Sequence, residues 1–137
     1  MRSVAEASPT QRPHVRLISD DTDFLVIYSF TLAAAGYEVE SCGADVRSDG
    51  EQCPHVAVID VLGETDWTTV VSLTARGVRV IVVTGFFFGD RRYRDRAAAV
   101  GASAFILKPF RWQTLHGVIA RVLQGERGVE VTVDASM

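Results

Sequence analysis

The chain has 137 residues, of which 47% are hydrophobic and 23% charged, and its formal net charge is −3. These values fit one soluble globular domain that buries its own core, and the slight negative charge argues against broad binding to nucleic acid. No apolar run approaches the roughly 20 residues that span a bilayer, and residues 1–13 contain no hydrophobic signal-peptide core, so we expect a cytoplasmic protein. Cys42 and Cys53 have no metal-ligand spacing and are expected to be free thiols.

Apolar runs that are typical of strands alternate with helical patterns along the chain. In chain order, the strands are predicted over 14–19, 38–42, 56–59, 78–83 and 104–107. The helices are predicted over 22–35, 44–52, 66–76, 91–100 and 110–123, the second being short and polar. In the first helix, one apolar face is predicted to contain Phe24, Ile27, Tyr28, Leu32 and Ala35.

Strands that alternate with helices predict an α/β domain with a doubly wound, five-stranded parallel sheet, covered on both faces in three layers (α/β/α). We expect this single domain to extend over 14–123. Residues 1–13 and 124–137 lack a clear core face, and we expect both segments to be flexible.

Polar side chains follow four of the predicted strands, at the point where each strand ends. Asp20 and Asp21 follow the first strand, Asp60 the third, Thr84 the fourth and Lys108 the fifth. In open α/β sheets, ligands bind beyond the carboxyl ends of the strands, where the strand order reverses. We therefore expect these five side chains to form one site.

The residue types at this site favour phosphoryl transfer. Lys108 is the only lysine in the chain, and its compact ammonium fits a confined anion pocket better than a planar guanidinium would. Three converging carboxylates repel one another unless a cation neutralises them, and ligands that are all oxygen favour Mg²⁺. The Thr84 hydroxyl suits a phosphoryl oxygen, and Gly85 leaves the approach open.

Four motifs resemble those of the receiver domains of two-component response regulators, including the single-domain chemotaxis receivers. They are Ser19-Asp20-Asp21, Val58-Ile59-Asp60-Val61-Leu62, Val82-Val83-Thr84-Gly85 and Lys108-Pro109-Phe110. The resemblance covers residues 14–123 and implies a flavodoxin-like fold. It implies a stand-alone response regulator that a sensor histidine kinase or a histidine phosphotransfer protein phosphorylates and that signals by contact with a target protein. It implies no enzymatic activity other than the Mg²⁺-dependent phosphorylation and dephosphorylation of the chain itself.

The resemblance also implies individual residue roles. Asp60 would be the phosphoacceptor, with Mg²⁺ held by Asp21, Asp60, the Leu62 backbone carbonyl and, through water, Asp20. The phosphoryl oxygens would be bound by Thr84, Gly85 and Lys108, and the Lys108–Pro109 peptide would be cis. Thr84 and Phe105 would be the switch pair, remodelling a face made of the 91–100 helix, the fifth strand and the last helix, which is also a candidate homodimer face.

Several positions depart from the family pattern. The loop at 63–67 lacks the usual proline four residues after the acceptor and is one residue shorter. Leu62 and Phe86 provide apolar cover beside the path of an attacking water, which predicts slow hydrolysis of the phospho-aspartate. A possible partner surface is formed by Phe86, Phe87, Phe88 and Trp112.

Other interpretations stay open from the sequence. Asp20, Asp60 and Thr84 also suit helix caps, and Lys108 suits a surface charge. Asp21-Thr22-Asp23 resembles the nucleophile motif of haloacid-dehalogenase-type phosphatases, but no acidic metal motif follows Lys108 and Asp60 would have no role. The altered loop is compatible with an interaction module that is not phosphorylated. We expect neither a direct nucleic-acid partner nor membrane insertion.

Overall fold

The computed structural model describes residues 12–43, 53–85 and 91–132. In chain order, the elements are β1 His14–Ile18, α1 Thr22–Ala34, β2 Glu38–Cys42, β3 Val56–Val61, α2 Thr65–Ala75, β4 Arg79–Thr84, α3 Arg91–Ala99, β5 Ala104–Leu107, α4 Trp112–Leu123 and β6 Val129–Val131. The first nine match the predicted ranges to within two residues at each end. The helix predicted over 44–52, the Phe86–Phe88 segment and residues 1–11 lie outside the described residues.

The six strands form one parallel sheet in the order β2-β1-β3-β4-β5-β6. The chain runs outward from β1 to β2 and then returns to β3 on the other side of β1, so the strand order reverses between β1 and β3. Because all strands are parallel, their carboxyl ends lie along one edge of the sheet. The α/β architecture with a parallel sheet is therefore as predicted.

Alternate residues of the strands belong to two separate hydrophobic clusters, because successive strand side chains point to opposite faces of a sheet. One cluster joins strand residues to α1 and α4, and it includes Val15, Leu17, Val58, Ile106, Leu32 and Ile119. The other joins them to α2 and α3, and it includes Ile18, Ile59, Val82, Phe105, Trp67 and Ala97. Every residue of β3 is buried, as expected of a central strand with both faces covered.

The prediction of five strands is wrong, because a sixth strand forms within the segment expected to be a flexible tail. Val129–Val131 pairs in parallel with β5, with Phe105 opposite Glu130. Val129 is 4% exposed and joins the core cluster of α1 and α4. Gly128, with a φ of 71°, supplies the left-handed turn into the strand. The alternating residues from 129 to 133 carried this strand signal, but the run is short.

The predicted core face of α1 is wrong at one position. Phe24 and Leu32 are buried, whereas Ile27 is 54% exposed. Val26 and Phe30 are exposed as well. The helix has apolar residues on all of its sides, so its sequence does not distinguish the buried face from the exposed one.

The structure agrees with the prediction of free cysteines, and it also gives the length and hydrophobicity of the described helices. Cys42 and Cys53 are free thiols. Within the described ranges, none of the helices combines the length and the hydrophobicity needed to cross a bilayer.

Candidate functional site

Asp60 lies near the carboxyl end of β3, between β1 and β4, and is 1% exposed. A carboxylate at this depth needs a charged or hydrogen-bonding partner. Lys108, which follows β5, supplies one: its Nζ lies 3.0 Å from Oδ1 and donates a hydrogen bond to Oδ2 at 3.2 Å. The lysine side chain is 25% exposed, so the pair lies at the surface end of the buried strand. The structure thus joins two of the predicted site residues directly.

Ser19 is a second partner of Asp60, and sequence reasoning missed its role. The residue is fully buried, and its Oγ donates to Asp60 Oδ2 at 2.8 Å. The same Oγ accepts a hydrogen bond from the backbone N–H of Asp21 at 2.9 Å. The available signal was a small polar residue at the end of a buried strand, directly before the acidic pair.

Asp21 and Asp20 occupy the loop between β1 and α1, and both are exposed. Asp21 is the N-cap of α1, where its Oδ1 accepts from the backbone N–H groups of Asp23 at 3.0 Å and Phe24 at 3.4 Å. The capping role that the sequence suggested for Asp20 therefore belongs to its neighbour, because a cap must sit directly before the first helical residue.

A magnesium site stays a prediction. In the parts of the chain that the structure describes, no three side chains of His, Cys, Asp or Glu are grouped closely enough to hold a metal ion. One feature fits a cation or a phosphoryl group: Asp60 Oδ1 is buried and accepts no hydrogen bond from the described residues. Buried polar atoms without a hydrogen bond are uncommon and often mark functional positions.

Thr84 ends β4, and its hydroxyl donates its proton to the backbone and not to Asp60. The side chain is fully buried, and Oγ1 donates to the backbone carbonyl of Val61 at 3.2 Å. The Thr84 carbonyl accepts the backbone N–H of Lys108 at 2.8 Å, which ties the ends of β4 and β5 together. Gly85, directly after Thr84, is half-buried. Phe105 is 2% exposed and packs in the core cluster of α2 and α3.

The peptide bond between Lys108 and Pro109 is cis, as the resemblance implied. Aromatic rings line the α1 side of the lysine. Lys108 Nζ lies 5.3 Å from the centroid of the Phe24 ring, a distance typical of a cation–π contact. The Tyr28 ring packs between Phe24 and Phe110 in tilted geometry, with centroid distances of 4.8 and 5.4 Å. Its hydroxyl donates to the Phe110 carbonyl at 3.2 Å. Burial and, secondly, the negative charge of Asp60 raise the pKa of the Tyr28 hydroxyl above its ordinary value.

The loop after Asp60 is held by a side chain that the sequence did not reveal as important. Asp66 is 8% exposed, and its Oδ2 accepts from the backbone N–H groups of Leu62 at 2.8 Å and Gly63 at 3.1 Å. These bonds fix the backbone of the two residues whose loop lacks the usual proline. The Leu62 side chain is 41% exposed, and the slow hydrolysis predicted from it stays a prediction.

A cluster of side chains connects this loop to α3. The guanidinium of Arg96 donates to both carboxylate oxygens of Glu64, at 2.8 and 2.9 Å. Its carbon Cζ lies 4.7 Å from the centroid of the buried Trp67 ring, which also meets Tyr93 edge-on at 5.7 Å. The residues that follow Asp60 are therefore in contact with α3 through Glu64 and Trp67.

The predicted partner surface is only partly described. Trp112, at the start of α4, is half-buried and stacks on His116 with a centroid distance of 5.9 Å. His116 in turn meets Tyr37 edge-on at 5.4 Å. Trp112 thus has an intramolecular packing role.

Comparison with known proteins identifies the fold. No family model and no curated protein matches the chain. A CheY-like response regulator receiver domain from Methanospirillum hungatei JF-1 has 22% identity and a TM-score of 0.75, over 83% of this chain and 95% of the other. The response regulator DrrB of Thermotoga maritima has 20% identity and a TM-score of 0.71, over 86% of this chain but 56% of its own length.

The BeF3-activated receiver domain of DrrB is similar to the same extent. Its identity is 22% and its TM-score 0.71, over 83% of this chain and 99% of that domain. At these identities the likeness concerns the fold, which is that of response regulator receiver domains.

Proposed function

We propose that this chain, which has the receiver fold, acts as a response regulator receiver that accepts a phosphoryl group on Asp60 from a phosphohistidine of a partner protein. The observation that carries the proposal is the buried Asp60 carboxylate, beside the reversal of strand order and within 3.0 Å of the only lysine in the chain. Ligand sites of open α/β sheets occur at that place, and phosphoryl transfer depends on charge neutralisation of this kind.

In the proposed reaction, a lone pair of the Asp60 carboxylate attacks the phosphorus of a phosphohistidine. The phosphorus–nitrogen bond breaks, and its electron pair returns to the imidazole. Lys108 neutralises negative charge on the transferred group from one side. Mg²⁺ would be held by Asp21, Asp60, the Leu62 carbonyl and, through water, Asp20, and it would supply further positive charge to neutralise the transferred group. These ligands are all oxygen atoms, the type that Mg²⁺ prefers.

The proposed output follows from Thr84 and Phe105. A phosphoryl group on Asp60 would offer the Thr84 hydroxyl a charged acceptor in place of the Val61 carbonyl, and charged acceptors form stronger hydrogen bonds. The shift of Thr84 and Phe105 would alter the face made of α3, β5 and α4, through which the chain would contact a target protein or a second copy. The pairing of β6 along β5 places part of the chain's own C-terminal region beside that face.

The site favours this function over a phosphatase that uses Asp21 as its nucleophile. Asp21 is exposed, and one of its oxygens caps α1. The ammonium of Lys108 instead lies beside Asp60, which would have no role in such a phosphatase.

The experiment that tests the proposal is incubation with Mg²⁺ and acetyl phosphate, followed by intact-mass measurement. We expect one phosphate adduct in the wild type and none in Asp60→Asn. Asp23→Asn, which removes an exposed carboxylate in the first turn of α1, is the matched control and should keep the adduct. An adduct in Asp60→Asn, or none in the wild type with acetyl phosphate or phosphoramidate, would contradict the proposal. Release of phosphate from generic monoesters would support the phosphatase.

A further inference from the structure

The Ser19 hydroxyl, which lies beside Asp60, can donate its proton in one direction only. A serine hydroxyl has one proton to donate, and its oxygen can also accept. In this structure the oxygen accepts the backbone N–H of Asp21 at 2.9 Å and donates to Asp60 Oδ2 at 2.8 Å. The side chain is fully buried, so no solvent competes for either bond. The hydroxyl proton therefore points at one particular oxygen of Asp60.

The two oxygens of Asp60 consequently differ. Oδ2 accepts two hydrogen bonds, from Ser19 at 2.8 Å and from Lys108 at 3.2 Å. Oδ1 accepts none from the described residues, although Lys108 Nζ lies 3.0 Å away as an ion-pair partner. Lys108 Nζ lies close to both oxygens, at 3.0 Å from Oδ1 and 3.2 Å from Oδ2, so the Ser19 hydrogen bond is what distinguishes them. That bond engages a lone pair of Oδ2 and leaves Oδ1 with the more available lone pairs.

We propose that Ser19 is a positioning residue that holds Oδ2 and thereby presents Oδ1 as the oxygen that receives the phosphoryl group; this rests on the proposed function of Asp60. With acetyl phosphate as donor, a lone pair of Oδ1 forms the bond to phosphorus. The bond from phosphorus to the acetyl oxygen breaks, and its electron pair leaves with acetate. No proton moves: Ser19 keeps its own, and Oδ2 becomes the acyl carbonyl oxygen that still accepts from it.

A second buried serine separates this role from simple packing. Ser103 is 2% exposed and lies just before β5, at the amino-terminal edge of the sheet, opposite the edge where Asp60 lies. Its backbone donates to the Val80 carbonyl and accepts from Val129. Ser19→Ala and Ser103→Ala therefore remove the same atom from equally buried positions, but only the first lies at Asp60.

The test measures the rate of adduct formation with Mg²⁺ and acetyl phosphate, the thermal unfolding midpoint, and the ¹³C chemical shift of the Asp60 carboxyl carbon without donor or metal. The carbon signal is assigned by its loss in Asp60→Asn. We expect Ser19→Ala to form the adduct about tenfold more slowly, the scale of losing one hydrogen bond to a charged group, and to shift the carbon signal. Ser103→Ala should change neither. Ser19→Thr keeps the hydroxyl and should react faster than Ser19→Ala.

Three results would overturn the role of Ser19: a wild-type rate in Ser19→Ala, an unshifted Asp60 carbon signal in that variant, or a rate in Ser19→Thr no higher than in Ser19→Ala. Failure of the proposed function of Asp60 would give different results in the adduct measurement. In that case the wild type forms no adduct, or Asp60→Asn forms one, while the carbon signal in Ser19→Ala still reports whether Ser19 holds Oδ2.

Discussion

Lys108 and Asp60 form the central residue pair of the molecule, and their geometry is specific to an ammonium. Nζ lies within 3.2 Å of both carboxylate oxygens and 5.3 Å from the Phe24 ring centroid. A compact point charge satisfies all these contacts together, whereas a planar guanidinium is wider and directs its N–H groups in a fixed fork. The pairing of the two residues was predictable from their strand ends, but the contribution of Phe24 was not, because α1 is apolar on all sides.

Exchange of Lys108 for arginine tests this specificity. We expect Lys108→Arg to keep the fold but to slow adduct formation from acetyl phosphate by about tenfold, because the guanidinium is wider than the ammonium that lies between the Asp60 carboxylate and the Phe24 ring and displaces the incoming phosphoryl group. The measurement is the intact-mass time course, with thermal unfolding as a check of the fold. Arg121→Lys, the reverse exchange at an exposed arginine paired with Glu126, is the control. A wild-type rate in Lys108→Arg would show that charge alone suffices.

Tyr28 reports on the charge of Asp60 through its pKa. Burial is the larger cause of the raised pKa and the Asp60 carboxylate the smaller one. Asp60→Asn should therefore lower the pKa of Tyr28 while leaving it above the ordinary value for tyrosine. The measurement is an absorbance titration of the phenolate, with Tyr28 identified by its loss in Tyr28→Phe. An unchanged pKa in Asp60→Asn would mean that the carboxylate is uncharged or shielded from the ring.

The direction of the pH effect on stability follows from the same shift. The pKa of Tyr28 is higher in the folded chain than in the unfolded chain, so its stabilising contribution is fully present below the unfolded pKa. That contribution is lost as the pH rises through the folded pKa, in the alkaline range. Between neutral and alkaline pH, Tyr28→Phe should therefore lose less free energy of unfolding than the wild type, as measured by urea unfolding at both pH values.

At the scale of elements, the loop between β3 and α2 shows what sequence patterns miss. This loop lacks the proline that is usual in receiver domains, but the carboxylate of Asp66 restrains its backbone by accepting two N–H groups. Hydrophobic periodicity and motif spacing locate strands and helices, and they do not predict which side chain folds back onto a loop. Ser19 was missed for the same reason: its importance depends on a partner that lies far along the chain.

Removal of the Asp66 carboxylate tests this restraint. Asp66→Ala leaves the N–H groups of Leu62 and Gly63 without their acceptor, so we expect the free energy of unfolding to fall by about 1–3 kcal/mol. Asp66→Asn keeps an acceptor oxygen and should lose less. The measurement is urea unfolding, with the exposed Asp23→Ala as the matched control, expected to change by no more than about 0.5 kcal/mol. Equal stability of Asp66→Ala and the control would contradict the restraint.

For the molecule as a whole, β6 adds a sixth strand to the five-stranded sheet predicted from the sequence. The parallel order from β1 to β5 was predictable, because buried apolar runs and helical patterns alternate clearly. The sixth strand was not predicted, since three residues give little periodicity and their burial depends on the long-range pairing with β5. The pairing covers the outer edge of β5, whose N–H and C=O groups could otherwise pair with a strand of another chain.

Disruption of β6 should affect both stability and self-association. We expect Val129→Asp, which places a charge at a position 4% exposed, to lower the free energy of unfolding by about 2 kcal/mol or more. Exposure of the β5 edge should also increase dimer formation in sedimentation velocity. Glu130→Gln, on the exposed side of the same strand, is the control. Indistinguishable unfolding of the two variants would mean that β6 does not stabilise the chain.

The most direct test of the central claim is to locate the phosphoryl group chemically. Borohydride reduces an acyl phosphate to an alcohol, so a phosphorylated aspartate becomes homoserine, which tandem mass spectrometry assigns to one residue. After treatment with acetyl phosphate and Mg²⁺, we predict homoserine at position 60 and at no other aspartate. Homoserine at position 20, 21 or 66, or a phosphate adduct that borohydride does not convert, would contradict the assignment of Asp60 as the phosphoacceptor.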